Sequence, residues 1–471
     1  MTASRHHRRL RRRALGRVSL VAALRGGWSC VALAGCGPAL VNAPAAIPSE
    51  AAAHCTLRET PEDATVQAAS SYAQGLQQDW DASGVVLVER KGEILLERAF
   101  GVASHESGAP MSVDRQFAIG SVTKEWTAWL VRDAAHAGKL SLDATLAQWQ
   151  PSVPQWSRVT IRQLLEHRSG MIRTAEGVRE AASPSEATEH CAQAPLAFEP
   201  GSSYAYSNCG YDVLSRVLEL ALGKPFPQLL EERLFRPRDM PDSGMRAGPR
   251  LATGYTREHG KTVPAAALHS AAGAGGGYST ARDLCQFLLA QREQEASELD
   301  PALRREQQSV HGQAGKTDGF QSFLVRDRAT DTGIVYLTNQ EGAPASRVLE
   351  DLQKLAAGQP AQPPHEELRR VIAGDPQREE RLIGKFQLEI DPTQQLVIER
   401  RGAQLVFIDP GGQVSLLVWV APRLLLPVPL DDRRSEVSSD AEITFPETDR
   451  PTPEIELHVL GGMRLKAARI P

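Results

Sequence analysis

Beyond its N-terminal segment the chain has no run approaching the ~20 continuous apolar residues that a transmembrane helix needs, so nothing after that segment is expected to span a bilayer. It has no H-E-x-x-H pair, and its six cysteines show no metal-ligand spacing, which argues against a metal site. Its densest glycine cluster, Gly273-Ala274-Gly275-Gly276-Gly277, lacks a Gly-Lys-Ser/Thr ending and follows no predicted strand. A flexible loop ahead of Ser279-Thr280 is therefore expected there in place of a phosphate cradle. Aromatics are only 5% of the residues, with seven tyrosines, so a tyrosine in a polar, turn-rich setting is informative.

The N-terminus is rich in what the rest lacks. Arg8, Arg9, Arg11, Arg12 and Arg13 form a basic block, followed by apolar stretches and then Leu33-Ala34-Gly35-Cys36, an order that predicts a secretory signal over residues 1–35. Arg25 interrupts the apolar run; initiation nearer Val18 or Val21 would make it the basic flank of a short core from Trp28 to Ala34. Leu33-Ala34-Gly35-Cys36 resembles the lipobox of bacterial lipoproteins, in which cleavage precedes the cysteine and its thiol carries a diacylglycerol. The resemblance implies lipidation of Cys36 and anchoring at a membrane surface of the cell envelope, on its periplasmic or extracellular side.

Residues 1–35 hold eight Arg and no Asp or Glu, so the remainder carries 45 basic against 57 acidic residues, a net charge of −12, and no nucleic-acid partner is expected. Cys30 leaves with the signal. Cys55, Cys191, Cys209 and Cys285 allow three pairings in an oxidising compartment; Cys191 with Cys209 is favoured because both flank one predicted loop, with buried free thiols as the alternative.

A chain of 471 residues suits roughly three units of ordinary domain size. Residues 36–60, rich in Ala and Pro, read as a tether. Apolar spacing predicts a helix over 62–80, then strands over 84–89 and 93–102 around the turn Arg90-Lys91-Gly92. Helices are predicted over 121–136, 161–167, 211–222 and 281–291, the last with Thr280 and Asp283 as a capping box. Strands return over 319–326 and 333–339 around Arg328-Ala329-Thr330-Asp331, and a helix over 346–357 closes the unit. Strands first, helices in the middle, and strands with a helix last predict an α+β domain over 61–358 whose sheet joins halves distant in sequence. Residues 359–380, with their Pro and charge, read as a linker. Short strands at 382–390, 395–399, 405–408, 414–420, 442–445, 455–459 and 464–470 predict a small all-β barrel or sandwich over 381–471, with no nucleophile-plus-base pattern in it.

The chemistry is concentrated in the first of these domains. Ser121-Val122-Thr123-Lys124 follows the turn-like Ile119-Gly120, and its spacing puts Ser121 and Lys124 on one helical face, where a lysine can take or relay the serine proton. Three more segments keep it company: Leu164-Leu165-Glu166-His167-Arg168-Ser169-Gly170, the turn Pro200-Gly201 leading to Tyr206-Ser207-Asn208, and the run from Gly315 to Ser322. In this order they resemble the serine β-lactamase-like family, in particular its branch of class C β-lactamases, D-Ala-D-Ala carboxypeptidases and related esterases, over about residues 63–358.

That resemblance implies a transpeptidase-like antiparallel sheet flanked by a helical region. It implies Ser121 as nucleophile, Lys124 as its partner, Tyr206 as general base, and Asn208, on along an extended segment, as a holder of the substrate's amide or carbonyl. His167 is read as structural, a helix-end side chain bonding local backbone. In the third motif the family places Lys, His or sometimes another residue six positions before a Gly-aromatic pair. Counting back from Gly319-Phe320 gives Gln313-Ala314-Gly315, so an amide stands where a cation would attract a substrate carboxylate. His311 and Lys316 lie nearby but would need a bulge or slip to replace it. The Lys316 backbone N–H would complete an oxyanion hole. The family's Tyr-Gly-x-Gly-Trp-like strand core has no counterpart between Leu303 and Val310.

The reading that follows is a membrane-tethered serine hydrolase, without metal or organic cofactor, acting on a β-lactam, a D-Ala-ended peptidoglycan peptide or a small ester. The competing reading is a binding lipoprotein that keeps the fold, has lost turnover, and holds a cell-wall fragment or a protein partner.

Overall fold

The computed structural model describes residues 54–470 except 81, 176, 179–180, 259–260, 266–271, 298–309, 341–344, 364–368, 371, 390–394, 409–413, 429–435, 438–441, 447–449 and 460–462. The signal, Cys36 and most of the tether lie outside the described residues, as does nearly all of the stretch 303–310.

The strands that carry the molecule are apolar almost end to end. Gly84–Arg90 (β2) reads GVVLVER and Thr332–Thr338 (β6) reads TGIVYLT, the pattern of strands buried on both faces. Glu93–Phe100 (β3), Val310–Thr317 (β4) and Phe320–Asp327 (β5) join them, and Thr56–Leu57 (β1) adds an edge, in the order β1-β3-β2-β6-β5-β4. β6 pairs antiparallel with β2, Thr338 opposite Gly84 and Thr332 opposite Arg90, so the two halves meet at the sheet centre as expected. The sheet is not wholly antiparallel: β1 runs parallel to β3, with Thr56 opposite Glu93. The last residues assigned to the tether thus belong to the sheet.

Alternation along the strands divides two cores. Val85, Leu87, Leu324, Val335 and Leu337 face a large helical side. Val86, Val88, Phe323, Val325, Ile334 and Tyr336 face Ala64–Trp80 (α1) and the C-terminal helix Ala345–Ala356. On the helical side stand Thr123–His136 (α2), Ile161–Leu165 (α3), Pro184–Ala192 (α4), Asn208–Leu222 (α5), Phe226–Leu230 (α6) and Ala281–Ser297 (α7). α2 is the central one: Thr123, Lys124, Trp126, Thr127, Trp129, Leu130 and Val131 are all buried, as in a helix surrounded by protein. α7 is tied to the sheet by Arg292, whose guanidinium reaches Glu89 Oε1 at 2.5 Å and Asp331 Oδ1 at 2.8 Å. Glu89 is fully buried, so removing the arginine would cost about 3–5 kcal/mol. At the start of α7, Thr280 Oγ1 accepts from Asp283 N at 3.2 Å, but the Asp283 carboxylate accepts from Ser243 Oγ and Asp242 N, both at 2.8 Å; the expected box is half formed.

Two disulfides staple this unit. Cys191 in α4 joins Cys209 in α5, the expected pair, and Cys55 joins Cys285, tying the β1 edge to α7 across 230 residues.

Eight strands of the C-terminal region, Gly384–Leu388, Gln395–Arg401, Gln404–Ile408, Val414–Ala421, Leu424–Val428, Glu442–Thr444, Glu454–Val459 and Met463–Ile470, close into a barrel, the first pairing with the last. Phe386, Ile398, Phe407, Leu417, Trp419, Ile443 and Leu457 fill its core. Leu424–Val428 was not expected as a strand. The second half of the expected linker also belongs here: Asp375 caps a short helix, Pro376–Leu382, and Ile372 N donates to Trp419 O at 2.9 Å.

Candidate active site

The Ser121 segment owes its path to Gly120. At φ +48°, Gly120 lies in the left-handed region, and a Cβ added there would stand 2.8 Å from the Lys316 nitrogen, so only glycine lets the turn press against β4. A 3-10 turn over Gly120–Val122, with Ser121 at its centre, then runs into α2. Ile119 braces it from two sides: its N–H donates to Gly277 O at 2.9 Å, and its carbonyl accepts from Ser322 Oγ at 2.6 Å. Thr123 Oγ1 donates to Gly120 O at 2.7 Å and accepts from Gly277 N at 2.9 Å, binding the glycine-rich loop to the turn.

Ser121, Lys124 and Tyr206 come together. Lys124 Nζ donates to Ser121 Oγ at 3.1 Å and to Ala274 O at 2.6 Å, and Tyr206 Oη donates to Ser121 Oγ at 3.0 Å. Lys124 is only 2% exposed and lies 5.0 Å from the Tyr206 ring centroid. Its charge faces Asp212, whose Oδ1 accepts from Ala274 N at 2.9 Å. Burial pushes the Asp212 carboxyl up to about 7, while Lys124 and the Ala274 N–H pull it down. One peptide, Ala274, is thereby held at both ends: its N–H by Asp212, its carbonyl by Lys124. Sequence reasoning missed Asp212; the available signal was a lone carboxylate among Cys209, Tyr211, Val213 and Leu214 on a buried helix face.

His167 differs from expectation. Its Nδ1 accepts from the N–H of Ser207, a distant backbone and not a local one, at 3.1 Å, and its ring lies 4.5 Å from the Tyr206 ring at 31°. Burial, with Lys124 adding to it, pushes the imidazole down to about 3, so it is neutral and serves as an uncharged floor beneath Tyr206.

Asn208 also differs. Ser207 is the helix cap, its Oγ accepting from Gly210 N at 2.9 Å, so Asn208 opens α5 and does not continue an extended segment from Tyr206. Its Nδ2 donates to Thr174 Oγ1 at 2.9 Å on the exposed rim.

Across the cleft, β4 pairs residue for residue with β5 from Val310–Asp327 to Thr317–Phe320, with no bulge. Gly315 faces the Ser121 turn, since an added Cβ would stand 2.0 Å from Ile119 O, and alternation puts Gln313 on the same face. Gln313 is half-buried, and its Nε2 donates to Ala314 O at 2.6 Å. His311 stays two residues away, with Nε2 3.1 Å from Glu125 Oε1. Glu125 draws the His311 pKa up against the effect of burial; burial would raise the Glu125 carboxyl, but His311 and Arg132 outweigh it and hold it low, so the pair is ionic. Lys316 lies on the other strand face, shared with Gly312, whose added Cβ would meet Gln353 and Leu349 of the C-terminal helix. Its backbone meets the Gly120 turn.

The Beta-lactamase family profile matches residues 70–359, more than half of the chain. The chain belongs to the Beta-lactamase family. This family member is 34% identical over 194 residues to Esterase EstB of Burkholderia gladioli, covering 37% of this chain and 49% of EstB. It is 26% identical over 286 residues to the D-alanyl-D-alanine-carboxypeptidase/endopeptidase AmpH of Escherichia coli K12, covering 58% of this chain and 74% of AmpH. The chain thus spans about half the length of EstB and about three quarters of AmpH. In fold it is similar to the octameric penicillin-binding protein homologue from Pyrococcus abyssi, at a TM-score of 0.55 and 18% identity, covering 85% of this chain and 99% of that one.

Proposed function

We propose that this chain is a serine hydrolase that forms an acyl-enzyme on Ser121 from an amide or ester carbonyl. The observation that carries the reading is the convergence of Lys124 Nζ and Tyr206 Oη on Ser121 Oγ, at 3.1 and 3.0 Å. Ser121 Oγ bonds to the acyl carbon as its proton passes to Tyr206 in its phenolate form, or to it through Lys124. The bond to the leaving group then breaks, and that group takes the proton. Water next bonds to the acyl carbon, the Ser121 ester bond breaks, and a proton returns to Ser121. The N–H groups of Ser121 and Lys316 would hold the oxyanion, a role supported by the packing of the Lys316 backbone on Gly120.

The candidate substrates are those suggested by the resemblance and by the names of the relatives: an ester, a D-Ala-ended peptide or a β-lactam. The proposal includes an envelope location, with the chain lipidated at Cys36 after removal of residues 1–35. Support comes from Leu33-Ala34-Gly35-Cys36 and from two disulfides of the kind that persist in oxidising compartments.

The test exposes the full chain and its Ser121→Ala variant to a fluorophosphonate probe and a fluorescent penicillin. Labelling by either probe that vanishes in the variant is the result expected. No Ser121-dependent adduct with either would leave the non-catalytic binding lipoprotein as the better account. Turnover of a chromogenic cephalosporin against a short-chain aryl ester then divides lactamase from esterase.

A further inference from the structure

The wall that should read substrate charge carries no available cation at position 313, and the opposite wall carries one. Arg173 places its guanidinium carbon 5.4 Å from the centroid of the Tyr206 ring, whose hydroxyl touches Ser121. The residue is held by its backbone: Arg173 O accepts from Asn208 N at 2.7 Å and Cys209 N at 3.4 Å, capping the first turn of α5. Thr174 Oγ1 beside it accepts from Asn208 Nδ2. Arg173 and Thr174 are exposed, and among the described residues no carboxylate pairs with Arg173. A guanidinium lying over a ring keeps in-plane N–H donors for a bidentate carboxylate, and Asn208 retains a second amide hydrogen. Among the described residues, Lys124 is committed to Ser121 and Ala274 and His311 to Glu125, while Lys316 stands on the far strand face.

We propose that Arg173, with Thr174 and Asn208, forms a subsite for the carboxylate of an acyl substrate on the Tyr206 side of the cleft, in place of a cation on β4. This rests on the acyl-transfer reading above and specifies its substrate class as carboxylate-bearing esters or amides. Arg173 acts here as a specificity residue.

The test compares two nitrophenyl esters that differ only in an added ring carboxylate, on the full chain and on Arg173→Ala, Arg173→Lys and Arg173→Glu. The ratio of kcat/KM for the anionic over the neutral ester should fall about tenfold in Arg173→Ala, through KM. It should fall further in Arg173→Glu and be partly kept in Arg173→Lys. An unchanged ratio across the series overturns the subsite, even if both rates drop together, because that pattern reports only support of Tyr206. A second arm titrates benzoate and benzamide into Ser121→Ala protein with and without Arg173→Ala, by NMR. If the wild type hydrolyses neither ester, the acyl-transfer reading fails, and the titration still decides the subsite: benzoate binding that needs Arg173 supports it, and absent or Arg173-independent binding refutes it.

Discussion

The two walls of the cleft are built to different standards of completeness. On the helical wall each polar group proposed to react is backed by another: Ser121 by Lys124 and Tyr206, Lys124 by Ala274, Ala274 by Asp212, and Tyr206 by His167. On the β4 wall the backbone register is intact and Lys316 packs on Gly120, yet Gln313 donates to its own strand and His311 is neutralised by Glu125. The contrast teaches that coupled side chains on one wall and backbone register on the other can be kept independently of one another. A wall of coupled side chains resists change at any one member, whereas a strand position can change its side chain while its hydrogen-bonded backbone keeps its place.

The largest effect should come from breaking the coupled wall. Tyr206→Phe keeps the ring on His167 and removes the hydroxyl on Ser121, so kcat/KM should fall by about 10²–10⁴-fold with the melting temperature nearly unchanged. Steady-state kinetics beside a thermal melt checks this, and near-wild-type rates would remove Tyr206 from the mechanism.

Opening the staple at the same wall comes next. Replacing Cys191 and Cys209 together by Ser should cost about 3 kcal/mol in urea unfolding, from the loop entropy restored to the unfolded chain. Because Cys209 directly follows Asn208, KM should rise as well. Unchanged stability would show that packing alone fixes the start of α5.

Acid should loosen the floor under Tyr206. The buried His167 titrates near 3 and its unfolded counterpart near 6.5, so the unfolded chain takes up the proton first as pH falls. The contribution is whole above pH 6.5 and lost progressively below it, about 2 kcal/mol by pH 5. Urea midpoints at pH 7 and 5 should separate less in His167→Asn than in the wild type; equal separation would contradict the burial argument.

The smallest effect sharpens the other wall. Gln313→Lys should raise kcat/KM for a carboxylate-bearing ester by about tenfold, or about 1.4 kcal/mol, with the neutral ester as reference. No gain would mean that a cation at this strand position does not reach the substrate.

The parts of this arrangement that local spacing controls were legible in the sequence. Ser121 and Lys124 follow from helical period, the two sheet halves from strands flanking a helical middle, and the Cys191–Cys209 bond from a shared loop. What escaped depends on partners far along the chain or on one-residue boundaries. Asp212 matters through Ala274, 62 residues on, and Cys55 through Cys285, 230 residues on. Asn208 was misdirected because Ser207 takes the cap and starts the helix earlier than the apolar pattern does. Leu424–Val428 was hidden by Pro427, which the barrel accommodates opposite Leu417.

The central claim is that Ser121 becomes acylated. Its most direct test is peptide mapping by mass spectrometry after the full chain is quenched during turnover of an aryl ester or a penicillin. The account predicts an acyl adduct on the peptide holding Ser121, absent from Ser121→Ala and forming more slowly in Tyr206→Phe. Turnover without any Ser121 adduct, or an adduct that persists in Ser121→Ala, would contradict it.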